Sequence, residues 1–158
     1  MKYSFLALVA VLFMSCNDKK KEENITPAAN TEAVPNNEAE IVKYIADNHL
    51  KATRTESGLY YVIEEAGTGK QPTVDSEVTV AYKGYFTNKE VFDQSDKKGI
   101  SFPLRGVIAG WTEGIQYFKE GGKGILLIPS DLGYGPGGQG PIPGGSVLVF
   151  DIKLNSVK

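Results

Sequence analysis

Of the 158 residues, one is cysteine, one is histidine and one is tryptophan. A lone cysteine has no partner in the chain for a disulfide. The lone histidine, His49, has no Cys or second His beside it to complete a metal site. Hydrolytic machinery is missing for the same reason: no His stands near a Ser as general base, and no Cys is offered as nucleophile. Charge of one sign is scarce as well. Seventeen basic residues against nineteen acidic give a net charge of −2, with no basic block, which argues against a nucleic-acid partner. The lysine-led apolar run from Phe5 to Met14 holds about ten residues, where a spanning helix needs about twenty. What the chain has in quantity is glycine (18), proline (8), tyrosine (8) and phenylalanine (7). That composition favours tight turns and short strands around a ring-rich core, in one domain with a tail.

The run from Phe5 to Met14 has the form of a secretory signal: a basic start, an apolar segment and a small residue before the break. A break between Ser15 and Cys16 resembles the lipobox of bacterial lipoproteins, in which that cysteine is lipidated and becomes the new N-terminus. Phe13 stands where that motif usually has Leu, with Leu12 one place earlier. The alternative is that Cys16 is incidental to an ordinary signal peptide. From Asn17 to Asn37 the chain is polar and without periodicity, so it buries too little to order itself. As a flexible tether of about 21 residues it would average roughly 25 Å end to end. Glu38 to Leu50 then reads as a helix, with Asn37 as N-cap and Ile41, Val42, Ile45 and Leu50 as its apolar stripe. His49 falls near its C-terminal end, where a cation is tolerated.

Strand signals follow. Gly58–Glu64 is β-branched and aromatic, and Ser76–Phe86 alternates with Val78, Val80, Tyr82 and Gly84 on one side. Asn88 and Lys89 mark a turn into Glu90–Asp93, and Ile100–Leu104, Gly124–Ile128 and Ser146–Leu154 complete the set. Strands dominate, and most are joined by short turns. The class this predicts is α+β, an antiparallel sheet against one helix.

That helix is expected within Gly106–Phe118, where Val107, Ile108, Trp111, Ile115 and Phe118 recur at three- and four-residue spacing. Trp111 would sit in its first turn, where backbone amides lack intrahelical partners. It is either the largest core residue or the floor of an apolar cleft. The glycine-rich stretch Gly133–Gly145 looks like a phosphate loop but lacks the Gly-Lys-Ser/Thr ending, and its prolines remove amides. It reads as a long hairpin-like connection.

There remains an aromatic set, Tyr82, Phe92, Trp111, Tyr134 and Phe150, with Asp93 beside Phe92. All of these but Tyr82 lie in Val-Phe-Asp-Gln-Ser (91–95), Val-Ile-Ala-Gly-Trp-Thr-Glu-Gly (107–114), Leu-Gly-Tyr-Gly (132–135) and Leu-Val-Phe-Asp-Ile (148–152). In this order and approximate spacing the motifs resemble the FKBP-type peptidyl-prolyl isomerases, over about Ser57 to Lys158. Thr53–Gly69 is similar to the start of the domain in bacterial lipoprotein and periplasmic members. The resemblance implies a twisted antiparallel β-sheet wrapped over one short α-helix. The whole chain would then divide into a lipoprotein signal peptide (1–15), a lipidated Cys16 and flexible linker (16–37), an N-terminal helix (38–52) and an isomerase domain (53–158).

It also implies roles. Trp111 would floor a pocket beneath a proline ring, with Tyr82, Phe92, Val107, Ile108 and Phe150 as walls and Ile142 at the edge. The Ile108 N–H and the Tyr134 hydroxyl would each bind a substrate carbonyl, with Asp93 polar at the rim. Ile100 stands where many relatives carry an aromatic. Taken alone, Asp93 serves a turn cap equally well, and Tyr134 a loop anchor. The implied activity is rotation about Xaa-Pro bonds without metal or cofactor, on Pro-containing segments of exported proteins, and open to macrolide inhibitors. The protein would be a monomer held to a bacterial membrane through Cys16, at its periplasmic face or at the cell surface. The rival is a non-catalytic chaperone or assembly module that grips Pro-containing segments.

Overall fold

The computed structural model describes residues 36–158. The expected signal peptide, Cys16 and nearly all of the linker lie outside the described residues. Among the described residues seven strands form one antiparallel sheet: β1 (Thr53–Arg54), β2 (Tyr60–Glu65), β3 (Glu77–Tyr85), β4 (Val91–Gln94), β5 (Ile100–Pro103), β6 (Lys123–Ile128) and β7 (Leu148–Val157). Their order in space is β1-β2-β6-β7-β3-β4, and β5 shares the outer edge of β3 with β4. The six expected strands are all present, and the two-residue β1 is an addition. The long strands β3 and β7 pair from Val78↔Val157 to Tyr85↔Val149 and form the spine of the sheet.

Both faces of the sheet are covered, and the sequence of β6 shows how. Side chains alternate along a strand, so Ile125-Leu126-Leu127-Ile128 serves two cores at once. Leu126 and Ile128 join Val78, Val80, Phe150 and Ile152 beneath the helix α2 (Ala109–Gly114). Ile125 and Leu127 join Tyr60, Val62 and Val149 beneath the helix α1 (Asn37–Asp47).

The structure corrects the expected details of α1. Its N-cap is Asn36, whose side chain accepts the Ala39 N–H at 3.1 Å; Asn37 is already helical. The buried stripe is Ile41 and Tyr44, with Ile45 packed beside them, while Val42 lies 48% exposed. At 100° per residue Val42 turns away from the face that Ile41 shares with Tyr44. The helix stops at Asp47, three residues early. His49 follows with φ 52°, its N–H on Ala46 O and the Leu50 N–H on Ile45 O. This is a left-handed C-terminal cap of the kind usually given to glycine. His49 therefore serves the turn itself.

The expected helix at 106–118 is shorter and divided. A 3-10 turn at Leu104–Gly106 is followed by extended backbone at Val107 (φ −116°, ψ 179°), and Ile108 caps α2. A second 3-10 turn, Ile115–Tyr117, ends it. Six residues are too few to hold a helix by propensity, so α2 persists by packing. Gly110 and Gly114, one turn apart, let its backbone close on β6. A Cβ at Gly110 would meet Ile128 Cγ2 at 2.5 Å, and one at Gly114 would meet Leu126 Cδ2 at 2.7 Å.

These distances set a competition. Alanine gains about 1 kcal/mol over glycine in a helix, but overfilling a packed contact costs about 1–3 kcal/mol. Gly110→Ala is expected to lower the unfolding free energy by about 1 kcal/mol in urea titration. In an Ile128→Ala background the same change should cost nothing. Equal costs in the two backgrounds would show that the close approach is not the reason for the glycine.

Candidate functional site

On the α2 side of the sheet lies a cavity of about 700 Å³. Its lining draws on most of the fold: Tyr82 from β3, Phe92 and Asp93 from β4, Ile100 from β5, Phe150 from β7 and Trp111 from α2. Val107 and Ile108 enter from the extended segment before α2, and Tyr134 and Ile142 from the loop between β6 and β7. All ten pocket residues named from the sequence therefore surround one space. Gly106, Gln139, Gly140 and Pro141 complete it, and none of these was foreseen. They are small or loop residues without an aromatic or charged signature.

Trp111 satisfies both readings of it. The residue is only 5% exposed, and it also lines the cavity. Three rings surround the indole. Tyr82 and Phe150 meet it edge-on at 5.1 and 5.2 Å, with interplanar angles of 82° and 81°, and Phe102 lies against it at 5.4 Å. Such edge-to-face contacts favour one ring orientation beyond mere burial. Phe102 is a support that strand periodicity alone did not single out. The indole Nε1 is buried without a hydrogen-bond partner among the described residues.

Phe92 and Asp93 are adjacent, yet both reach the cavity. In a regular strand they would point to opposite faces. The β3–β4 pairing runs Gly84↔Asp93 and then Tyr85↔Val91, which leaves Phe92 as an extra residue in a bulge. A bulge re-aims side chains in this way. Room for the Phe92 ring comes from Gly84, where a Cβ would lie 2.6 Å from Phe92 Cε2 and 2.7 Å from Phe150 Cε1. The two rings meet edge-on at 5.5 Å, and Phe86 backs Phe92 at 4.9 Å.

The polar groups are few. Tyr82 donates its hydroxyl to Asp93 Oδ2 at 2.6 Å. The cap of the following turn belongs instead to Asp96, which accepts the N–H groups of Lys98 and Gly99. Burial, and then the hydrogen bond to Asp93, pushes the Tyr82 phenol up to about 12. Ile108 accepts from the Trp111 and Thr112 N–H groups through its carbonyl, and its own N–H meets no described backbone acceptor. Tyr134 is 38% exposed and Ile100 48%, both at the rim, whereas Ile142 is buried. Asp93 is the one carboxylate in the lining. Among the described residues no cluster of His, Cys, Asp or Glu is arranged to hold a metal ion. The glycine-rich loop folds as a hairpin-like excursion, with Gln139 and Ile142 paired by two hydrogen bonds of 2.9 Å. The site is chemically an apolar cup whose polar groups include a phenol–carboxylate pair, the Tyr134 hydroxyl and the Ile108 N–H.

Comparison with known proteins gives a consistent picture. Residues 68–155 match the family described as FKBP-type peptidyl-prolyl cis-trans isomerase. The chain is 41% identical over 145 residues to the FKBP-type peptidyl-prolyl cis-trans isomerase FkpA of Aeromonas hydrophila, covering 89% of this chain and 54% of that protein. It is 44% identical over 118 residues to FkpA of Escherichia coli, covering 73% and 43% respectively. The chain thus spans about half the length of these relatives. Among solved structures, FkpA from Escherichia coli superposes with a TM-score of 0.71 at 41% identity, over 77% of this chain and 59% of that one. A peptidyl-prolyl cis-trans isomerase from Pseudomonas syringae superposes with a TM-score of 0.70 at 35% identity, over 82% of this chain and 97% of that one.

The Tyr82–Asp93 pair has a consequence for pH. The phenol ionises near 10 in an unfolded chain and near 12 here, so the folded state holds its proton more tightly. The stability due to the pair is complete below pH 10 and is lost as the pH rises through about 12. In an ultraviolet tyrosinate titration Tyr82→Phe should show one late-ionising group fewer than the wild type, whose Tyr85 phenol is also held above the ordinary range. Superimposable titrations would count against the Tyr82–Asp93 pair.

Proposed function

The chain belongs to the FKBP-type peptidyl-prolyl cis-trans isomerase family, and on that premise we propose that its cup catalyses rotation about Xaa-Pro bonds. The observation that carries this reading is the convergence of ten residues named from the sequence, seven of them in the four motifs, on one apolar cavity floored by Trp111.

Peptide-bond rotation faces a barrier of about 18–20 kcal/mol, because resonance gives the C–N bond double-bond character. The two Xaa-Pro isomers differ by only about 0.5–1 kcal/mol, so the difficulty is kinetic. A nucleophile is not required. The planar amide is the more polar form, and twisting it localises the nitrogen lone pair and reduces charge on the carbonyl oxygen. An apolar cup disfavours the planar form relative to the twisted one. In this reading the proline ring rests on the indole of Trp111, between Tyr82, Phe92, Val107, Ile108 and Phe150. Ile108 N–H and the Tyr134 hydroxyl donate to the flanking carbonyls and hold the chain while the bond turns. Asp93, tied by Tyr82, places a fixed negative charge at the rim, and Ile100 and Ile142 contact the residues beside the proline. Macrolides that fill such a cup would compete with substrate.

The setting belongs to the same proposal. A break before Cys16, lipidation of that residue and a polar tether would hold the domain at a bacterial membrane, on its periplasmic face or the cell surface. There it would assist the folding of exported Pro-containing polypeptides. The support for this is the sequence from Met1 to Asn37 alone. A monomer is the matching state, since α1 spends its apolar side on its own sheet.

Two measurements test these statements. Phe150→Ala and Asp93→Ala should each lower kcat/KM on a Xaa-Pro peptide by about tenfold or more, each factor of ten being about 1.4 kcal/mol of lost transition-state stabilisation. Asp93 is exposed, so its variant should retain the wild-type circular dichroism. Turnover unchanged in both would remove the cup from the reaction. For the anchor, a fatty-acid analogue fed to cells should label the wild type and not Cys16→Ser; label retained by the variant would overturn it.

A further inference from the structure

Asn37 opens α1, yet its side chain serves neither the helix nor the apolar core. Asn36 already supplies the cap, which leaves the Asn37 amide free to bond elsewhere. Its Oδ1 accepts the Ser130 N–H at 2.8 Å, and its Nδ2 donates to Gly145 O at 2.9 Å. Ser130 and Gly145 are the two ends of the segment that carries Tyr134 and Ile142 to the cavity.

The contacts continue into a closed ring. Ser130 O accepts from the Gly135 N–H at 2.8 Å, and Gly135 O accepts from the Gly145 N–H at 2.9 Å. Gly145 O then returns to Asn37. Each residue donates once around the ring and accepts once, and Ser130 is buried where an unmet amide would be costly. Asn37 is the only member from outside the segment, and the only one whose link is a side chain.

The other wall of the cup is fastened from the same helix. Thr87 Oγ1 donates to Glu40 Oε1 at 2.5 Å, and Lys89 Nζ donates to Asn48 Oδ1 at 2.8 Å and to the Tyr44 hydroxyl. Thr87 and Lys89 lie in the turn that leads into β4, and so to Phe92 and Asp93. The helix on the far face of the sheet holds the roots of both walls.

We infer that Asn37 is a positioning residue for the cup: by closing the neck of the 130–145 segment it keeps Tyr134 and Ile142 over the substrate without touching it. The inference rests on the cup being the isomerase site. Glycine occupies seven of the thirteen positions from 133 to 145, so the segment has much backbone entropy to lose. A loop with that freedom spends less time in its competent arrangement once its neck opens, and apparent activity falls by the competent fraction.

The test compares wild type, Asn37→Ala, Asn37→Asp and Tyr60→Phe. The last removes the 2.5 Å bond from Tyr60 to Glu38, a tie to the same helix turn that lies outside the ring. Asn37→Ala should raise amide hydrogen exchange across 133–145 and lower kcat/KM, each by about fivefold, the scale of one or two lost hydrogen bonds. Asn37→Asp keeps the acceptor for Ser130 and suits a helix start, so it should fall between. Tyr60→Phe should change neither quantity. Wild-type exchange and kcat/KM in Asn37→Ala, or equal losses in Tyr60→Phe, would reduce Asn37 to a general stabiliser of α1. If Asn37→Ala fails to fold, Asn37→Asp decides alone: local exchange without global loss supports the clamp, and unchanged exchange overturns it. A wild-type protein with no isomerase activity would strike at the function of the cup, while the exchange measurement would still judge the ring.

Discussion

The contact on which the rest of the structure depends is the seating of one indole between two ring edges. Tyr82 and Phe150 come from neighbouring central strands and meet Trp111 at near-perpendicular angles. That geometry needs α2 close to the sheet, because a helix held further out would lift the indole off both rings. Two glycines on one side of α2 allow the approach, and the apolar residues of β6 receive it. The helix is too short to survive by itself. Its position and the floor of the cup are one and the same fact.

A sheet with a cavity on one face needs ballast on the other. Residues that line a cavity forfeit some of the packing they would have in a closed core. Here α1 covers the opposite face with Ile41 and Tyr44, over Tyr60, Val62, Leu127 and Val149. Ion pairing at the edge of this helix, Arg54 with Glu38 at 3.1 Å, is exposed and contributes little beside that burial. Tyr85 shows the depth of the second core: burial, with hydrogen bonds involving Tyr44 and Asp151, raises its phenol well above the ordinary range. The N-terminal helix and the strands after it, separable in sequence at residue 53, share one packed interior.

Much of this was legible because periodicity and motif order report what repeats. Alternation, β-branched and aromatic content and turn residues located six strands, and four motifs in series hold seven of the ten residues named around the cavity. Features that depend on a single backbone event were not legible. The bulge at Phe92 turns two adjacent side chains to one side, and no alternating pattern anticipates that. Val42 looked like core because it is apolar, yet it is 48% exposed while Tyr44, outside the expected stripe, is buried; phase around the helix, not hydrophobicity, separates them. Asn36 and Asn37 are the same residue type, and only the structure shows that the first caps the helix while the second reaches across to the loop. The break before Ala109 was hidden because Val107 and Ile108 fit a helical spacing that they do not adopt.

The loop from Gly133 to Gly145 faces opposite demands. It must fold tightly: a Cβ at Gly138, whose φ is 68°, would lie 2.2 Å from Ile142 O, and one at Gly144 would lie 1.8 Å from Pro136 O. Only glycine permits such approaches, and glycine has the most conformational entropy to lose on ordering. Prolines at 136, 141 and 143 reduce that loss by fixing φ, and they do so without surrendering the paired amides of Gln139 and Ile142. What remains is concentrated at the neck, where two lengths of chain must stay side by side just past the last β6–β7 pair, Ile128↔Leu148. A hydrogen-bond ring at that point acts where one constraint removes the most freedom, because closing the base of a loop limits every residue within it. Tight folding above and closure below are thus two parts of one solution, which keeps a glycine-rich rim in place beside a cup with very few polar groups of its own.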